Sequence, residues 1–106
     1  MAVTKSKRLG DRAAAEAAAI PVRFEFRAPP GAVRVSVAGD FNDWDASAKG
    51  LESDGEGCWS GVLLLHPGRY QYKFVVDGTR WYEDPRAAQA AGNEFGGTNS
   101  VVEVGA

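Results

Sequence analysis

Arg69-Tyr70-Gln71-Tyr72-Lys73-Phe74-Val75-Val76-Asp77-Gly78 is the stretch that decides the fold. Tyr70, Tyr72, Phe74 and Val76 occupy alternate positions, so an extended backbone puts them on one face and Gln71, Lys73 and Val75 on the other. Asp77-Gly78 ends the run with a hairpin signal, the glycine supplying the positive φ of the turn. Moving outward, the same period of two recurs. Cys58 to Leu65 is an aliphatic-rich run, joined to the first by the tight turn His66-Pro67-Gly68. Further upstream, Val22, Phe24, Phe26 and Ala28 alternate with Arg23, Glu25 and Arg27. Pro29-Pro30-Gly31 then turns the chain into Val33, Val35 and Val37, which alternate with Arg34, Ser36 and Ala38. A short strand is expected around Leu51. Downstream, Arg80 to Tyr82 is a short strand ending at Asp84-Pro85, residues 86–97 read as a loop, and Val101, Val102 and Val104 close the chain. About seven short antiparallel strands, with turn signals between them and no core helix, predict an all-β, immunoglobulin-like β-sandwich.

The first twenty residues follow a different pattern. Arg12 to Ala19 is mostly alanine, which favours helix, yet so short a helix is marginal alone and Pro21 ends it. Residues 1–20 are therefore expected to be a flexible or partly helical lead-in with a short frayed helix, and residues 21–106 the sandwich. The cluster Lys5, Lys7, Arg8 and Arg12 reads as a solvated tail.

Size and charge bound the function. The chain has 106 residues, enough for one domain with one modest core. A formal net charge of −2 supplies none of the basic surface that nucleic acid requires. Asp11, Arg12 and Glu16 interrupt the apolar run a signal peptide needs, and no stretch approaches a membrane span. A cytoplasmic protein is the expectation. The single cysteine, Cys58, excludes an internal disulfide and a cysteine zinc cage.

Parts for catalysis are scarce. His66, the sole histidine, sits at a Pro-Gly turn, and Cys58 adjoins Trp59 in an apolar strand, where an inert thiol and a core tryptophan are expected. The acidic run Asp40, Asn42, Asp43 and Asp45 invites a calcium loop. Counting from Asp40, however, the fifth position is Trp44 and the twelfth is Leu51, where calcium needs oxygen ligands. No metal, no cofactor and no enzymatic activity are expected.

Trp44 and Trp81 fall where sandwich loops and strand ends reach solvent, and an exposed indole is a candidate contact for a ligand with an apolar face. The segments Val37-Ala38-Gly39-Asp40-Phe41-Asn42-Asp43-Trp44 and Tyr70 to Gly78, then Trp81 and Asp84-Pro85, resemble carbohydrate-binding module family 48. That is the early-set domain at the N-terminus of isoamylases and glycogen-branching enzymes. The sequence is also similar to the glycogen-binding domain of the AMP-activated protein kinase β subunit, the resemblance covering roughly residues 21–104. It implies a non-catalytic module for α-1,4-linked glucan: glycogen, starch or a maltooligosaccharide. The site it implies consists of Trp44 after Phe-Asn-x, Lys73, Trp81, the apolar loop residue Phe95, and Asn99. Where the family carries a threonine two residues after that apolar residue, this chain has Gly97, with Thr98 beside it as a substitute hydroxyl. The turn before Trp81 is one residue longer, which makes Arg80 an additional candidate donor. A glycogen-metabolising enzyme or other protein is the second class of partner. The alternative is a protein–protein interaction or scaffold domain that keeps the early-set fold without binding sugar.

Overall fold

The computed structural model describes residues 19–93 and 96–105. Among them the strands are β1 Ile20–Arg27, β2 Val35–Gly39, β3 Glu52–Ser53, β4 Cys58–Leu65, β5 Gly68–Val76, β6 Arg80–Tyr82, β7 Gln89–Gly92 and β8 Thr98–Val104. One 3₁₀ turn, Asp40–Asn42, follows β2. Two antiparallel sheets form the sandwich: β1-β4-β3, and β2-β5-β8-β7 with β6 added alongside β5.

β5 is the hub. β2 pairs with its second half along one side, from Tyr72 to Val76. On the other side β8 pairs with Gly68 to Tyr72 and β6 takes over from Phe74 to Val76. Its alternation is realised as two faces: Tyr72, Phe74 and Val76 are buried between the sheets, while Gln71 and Lys73 face outward and are half-buried. Across the core Phe26 stacks on Phe74 with ring centroids 4.7 Å apart, and Phe24 meets Tyr72 edge-on at 5.1 Å. Such pairs add about 0.5–1.5 kcal/mol each beyond the area they bury. Val35, Val37, Leu51, Leu65 and Val104 fill the remaining interior.

β2 is buried along its whole length because the chain folds back over it. Val37 donates its N–H to the Lys49 carbonyl (3.1 Å) and Leu51 to the Val35 carbonyl (2.8 Å), closing the strand's second edge. At its start, Asp77 Oδ1 accepts the N–H groups of Val33 (2.8 Å) and Arg34 (2.9 Å). The turn after β5 thereby holds the entry to β2.

Several expectations need correction. The segment read as a loop over residues 86–97 contains β7, which pairs with β8. Gln89-Ala90-Ala91-Gly92 carries no β-branched or aromatic residue, so only the partner strand defines it. Val33 is not in β2 but 81% exposed, its N–H taken by Asp77 rather than by a neighbouring strand. Trp59 is half-buried, packed against the core and facing the groove beside Pro29 and Pro30 rather than enclosed. The expected helical lead-in lies outside the described residues apart from its last two, and Ile20 already belongs to β1. No helix among the described residues is long and apolar enough to cross a membrane.

Candidate functional site: a groove over the outer face of β5

The site is assembled by the stretch Gly39 to Trp44, in which nearly every residue has a distinct physical task. Gly39 lets β2 cross close to β5: a Cβ there would collide with the Gln71 carbonyl oxygen and lie 2.8 Å from Tyr72 Cβ. Phe41 packs its ring against Phe24 and Tyr70, at 5.6 and 6.0 Å between centroids, anchoring the turn to the core. Asn42 accepts the Gly39 N–H at Oδ1 (3.0 Å) and donates from Nδ2 to the Val37 carbonyl (3.0 Å). Asp43 and Trp44 then adopt left-handed backbone, φ 57° and 60°. That region is costly for a bulky residue, roughly 1–3 kcal/mol, and persists only where surrounding contacts determine it. Here the Trp44 N–H donates to the Gly39 carbonyl (2.9 Å), and its indole Nε1–H donates to Asp40 Oδ1 (3.1 Å). The strain turns the indole back over the sheet.

Lys73 lies where β8 stops pairing with β5 and β6 begins. Trp81, opposite Val75 in β6 and 43% exposed, flanks this junction on one side. Asn99, one residue before the Ser100 that pairs with Tyr72, flanks it on the other. Together Asp40, Trp44, Gln71, Lys73, Trp81, Asn93, Gly97 and Asn99 line an open groove of about 700 Å³, well within the size range of small-ligand sites. Polar side chains are joined along its floor. Asn93 Nδ2 donates to Asn99 Oδ1 (3.2 Å), Asn99 Nδ2 donates to Gln71 Oε1 (3.0 Å), and the Gln71 backbone N–H donates to Asp40 Oδ2 (2.8 Å). Among the described residues no carboxylate lies within ion-pair distance of Lys73. Its ammonium can therefore offer its donors to a ligand.

Of the residues singled out from the sequence, Trp44, Lys73, Trp81 and Asn99 meet in this groove. Phe95 lies outside the described residues. Arg80 and Thr98 are not brought to the groove lining, and strand parity is the reason. Arg80 precedes Trp81 by one and points the other way, paired with Asp77 at 3.2 Å. Thr98 stands in the same relation to Asn99 and pairs with Gly92 in β7. Asp40, Gln71 and Asn93 were missed. Gln71 was legible in principle, since it shares the outward parity of Lys73. Gly97 does line the groove, and a Cβ there would meet Asn93 Nδ2 at an unstrained 3.5 Å.

Elsewhere the chemistry is quiet. The Cys58 thiol donates to Glu25 Oε2 (3.1 Å), and this bond, with burial, pushes the thiol pKa up. A reactive cysteine requires the opposite shift. Glu25 is correspondingly held below the usual carboxylate range, by the thiol first and then by Arg86. Among the described residues no three histidine, cysteine or carboxylate side chains gather in a metal-binding group.

Comparison with known proteins identifies the family. Residues 20–106 match the family model described as the glycogen recognition site of AMP-activated protein kinase. The chain is 37% identical over 73 residues to Protein FLOURY ENDOSPERM 6, chloroplastic, of Oryza sativa, a match that takes in 69% of this chain and 13% of the rice protein. It is 31% identical over 74 residues to the human 5'-AMP-activated protein kinase subunit beta-2, across 70% of this chain and 26% of the subunit. A 1,4-alpha-glucan branching enzyme of Oceanobacillus iheyensis is 36% identical over 66 residues, 58% of this chain and 10% of the enzyme. The chain thus spans only a minor part of the length of these relatives. The crystal structure of a maltogenic amylase from S. marinus superposes with a TM-score of 0.67 over 81% of this chain and 14% of the amylase, at 21% identity, a likeness of fold alone. The early-set sandwich, its groove motif and the match over residues 20–106 lead to one conclusion: the chain belongs to the family of the AMP-activated protein kinase glycogen-recognition module.

Proposed function

We propose that this chain is a non-catalytic α-glucan-binding module whose ligand, of glycogen or starch type, lies along the groove between Trp44 and Trp81. The observation that carries the reading is the convergence of two indoles, a lysine and an asparagine amide in one open groove of a glycogen-recognition family member. A glucose ring has a C–H face that packs on an aromatic plane, and hydroxyls at its rim that need donors and acceptors. Trp44 and Trp81 supply planes. Lys73 and Asn99 supply the polar contacts. Because the groove is open, a polymer can pass through it rather than end in it. Asp40, the one carboxylate lining the groove among the described residues, has both oxygens engaged by N–H groups of the protein, which supports adhesion to the polymer as the proposed role. A cytoplasmic location is part of the proposal, the lone Cys58 being compatible with a reducing compartment.

Native gel retardation is the test. Glycogen and amylopectin should slow the protein and dextran should not. Trp44→Ala and Trp81→Ala should each remain folded and lose at least about tenfold in affinity, ~1.4 kcal/mol. Free migration of the wild type through concentrated glycogen would sink the reading.

A second reading, contact with a protein such as a glycogen-metabolising enzyme, has one observation in its favour. Val62 and Leu64 stand 49% and 69% exposed on the outer face of the β1-β4-β3 sheet, away from the groove. The two readings are compatible.

A further inference from the structure

The carboxylate of Asp40 does something that a turn residue need not do. Each of its oxygens accepts a different N–H: Oδ1 from the indole of Trp44 (3.1 Å) and Oδ2 from the backbone of Gln71 (2.8 Å). The β2–β5 ladder ends at the Gly39–Tyr72 pair, so the Gln71 N–H lies one residue beyond it and takes its partner from the Asp40 side chain. Asp40 thus prolongs the ladder with a side chain and uses the anchored carboxylate to hold the one polar atom of the Trp44 ring. Gln71 continues the connection through its Oε1 to Asn99.

We propose that Asp40 is the positioning residue of the groove, fixing the Trp44 indole so that it offers its face to the ligand while its N–H stays engaged within the protein. The proposal deepens, and rests on, the glucan-binding reading. It divides the labour of recognition: Trp44 contributes apolar stacking alone, and hydroxyl recognition falls to Lys73 and the amides of Gln71 and Asn99. The left-handed backbone of Trp44 (φ 60°) accompanies this contact, which joins its Nε1 to a carboxylate four residues earlier. Holding the ring before the ligand arrives removes part of the ordering cost of binding.

The test uses the full chain and two readouts. In the ligand-free protein, the indole N–H resonance of Trp44, assigned by its absence in Trp44→Phe, should shift and exchange faster with solvent in Asp40→Ala. Asp40→Asn has one acceptor oxygen in place of two and should fall between wild type and Asp40→Ala. By calorimetry with maltoheptaose, Asp40→Ala should bind roughly tenfold more weakly than wild type, the loss of one pre-set contact. In a Trp44→Phe background the same substitution should have no further effect. An unmoved indole resonance in Asp40→Ala overturns the proposal, as does an equal loss of affinity in the Trp44→Phe background. If Asp40→Ala does not fold, the resonance in Asp40→Asn decides in the same way. Failure of the wild type to bind maltoheptaose removes the glucan reading, and the indole resonance still decides whether Asp40 positions the ring.

Discussion

Gly39 shows how a residue without a side chain can be the most constrained position in a site. Its backbone is extended (φ −172°), so the need is for space and not for a rare conformation. β5 passes so close that Gly39→Ala would press a methyl into the Gln71 carbonyl and Tyr72 Cβ. Overpacking of this kind typically costs about 1–3 kcal/mol. Gly39→Ala should therefore lower the unfolding free energy by about 2 kcal/mol in urea titration. It should also weaken glucan retardation beyond the fraction unfolded, because Gln71 and Trp44 shift with β2. At this scale the sequence was legible where a side chain announces itself. Trp44, Lys73, Trp81 and Asn99 stood out by residue type and motif, and they do line one groove. Asp40 drew notice only as a candidate calcium ligand, because a carboxylate in a run of turn formers does not announce which N–H groups it will meet. That its Oδ2 takes the Gln71 N–H follows only from the approach of β5.

At the scale of elements, the turn Asp77-Gly78-Thr79 does more than reverse the chain. Asp77 has φ 53°, accepts two N–H groups from the entry to β2 and donates its own N–H to the Arg34 carbonyl (2.8 Å). The accepted N–H of Arg34 first, and then that of Val33, holds its carboxyl below the usual range, with Arg80 adding a smaller pull. A folded-state pKa below the unfolded one adds stability above the ordinary carboxylate value and loses it as pH falls through the folded one. Thermal melts from pH 6 to pH 2 should show this acid-side loss in the wild type and less of it in Asp77→Asn. The asparagine keeps an oxygen for both N–H groups and tolerates left-handed backbone. Asp77→Ala, lacking both, should melt lowest of the three at pH 7. The sequence marked this hairpin correctly through Asp-Gly but gave no hint of the bonds to β2, which span more than forty residues. β7 was missed for the converse reason, as its residues have no strand preference of their own and take their conformation from β8.

For the molecule as a whole, the sandwich was legible because burial on one face imposes a period of two, which composition cannot hide. What the period cannot give is which strand lies beside which, and the groove depends on that order. One connection across the assembled fold can be probed by pH. Tyr72 is 3% exposed, and its hydroxyl donates to Asp84 Oδ2 (2.6 Å), while the Asp84 N–H donates to Ser100 Oγ (2.7 Å). Burial, the hydrogen bond and the charge of Asp84 all raise the phenol pKa far above its ordinary value. A raised folded pKa adds stability that is complete below about pH 10, the unfolded tyrosine value, and is lost as pH climbs beyond it. Tyr72→Phe should cost about 1.5–3 kcal/mol at pH 7, the usual worth of a hydrogen bond to a charged group. It should also flatten the decline in stability between pH 10 and about 11.5 relative to wild type, measured by urea unfolding at each pH. β5 supplies Tyr72 and Phe74 to the interior and Gln71 and Lys73 to the groove, so one strand carries two interleaved messages. Letters 71 and 73 can be rewritten to change what the surface grips, while 72 and 74 go on keeping the two sheets closed. Specificity and cohesion can thus drift independently within a span of four residues.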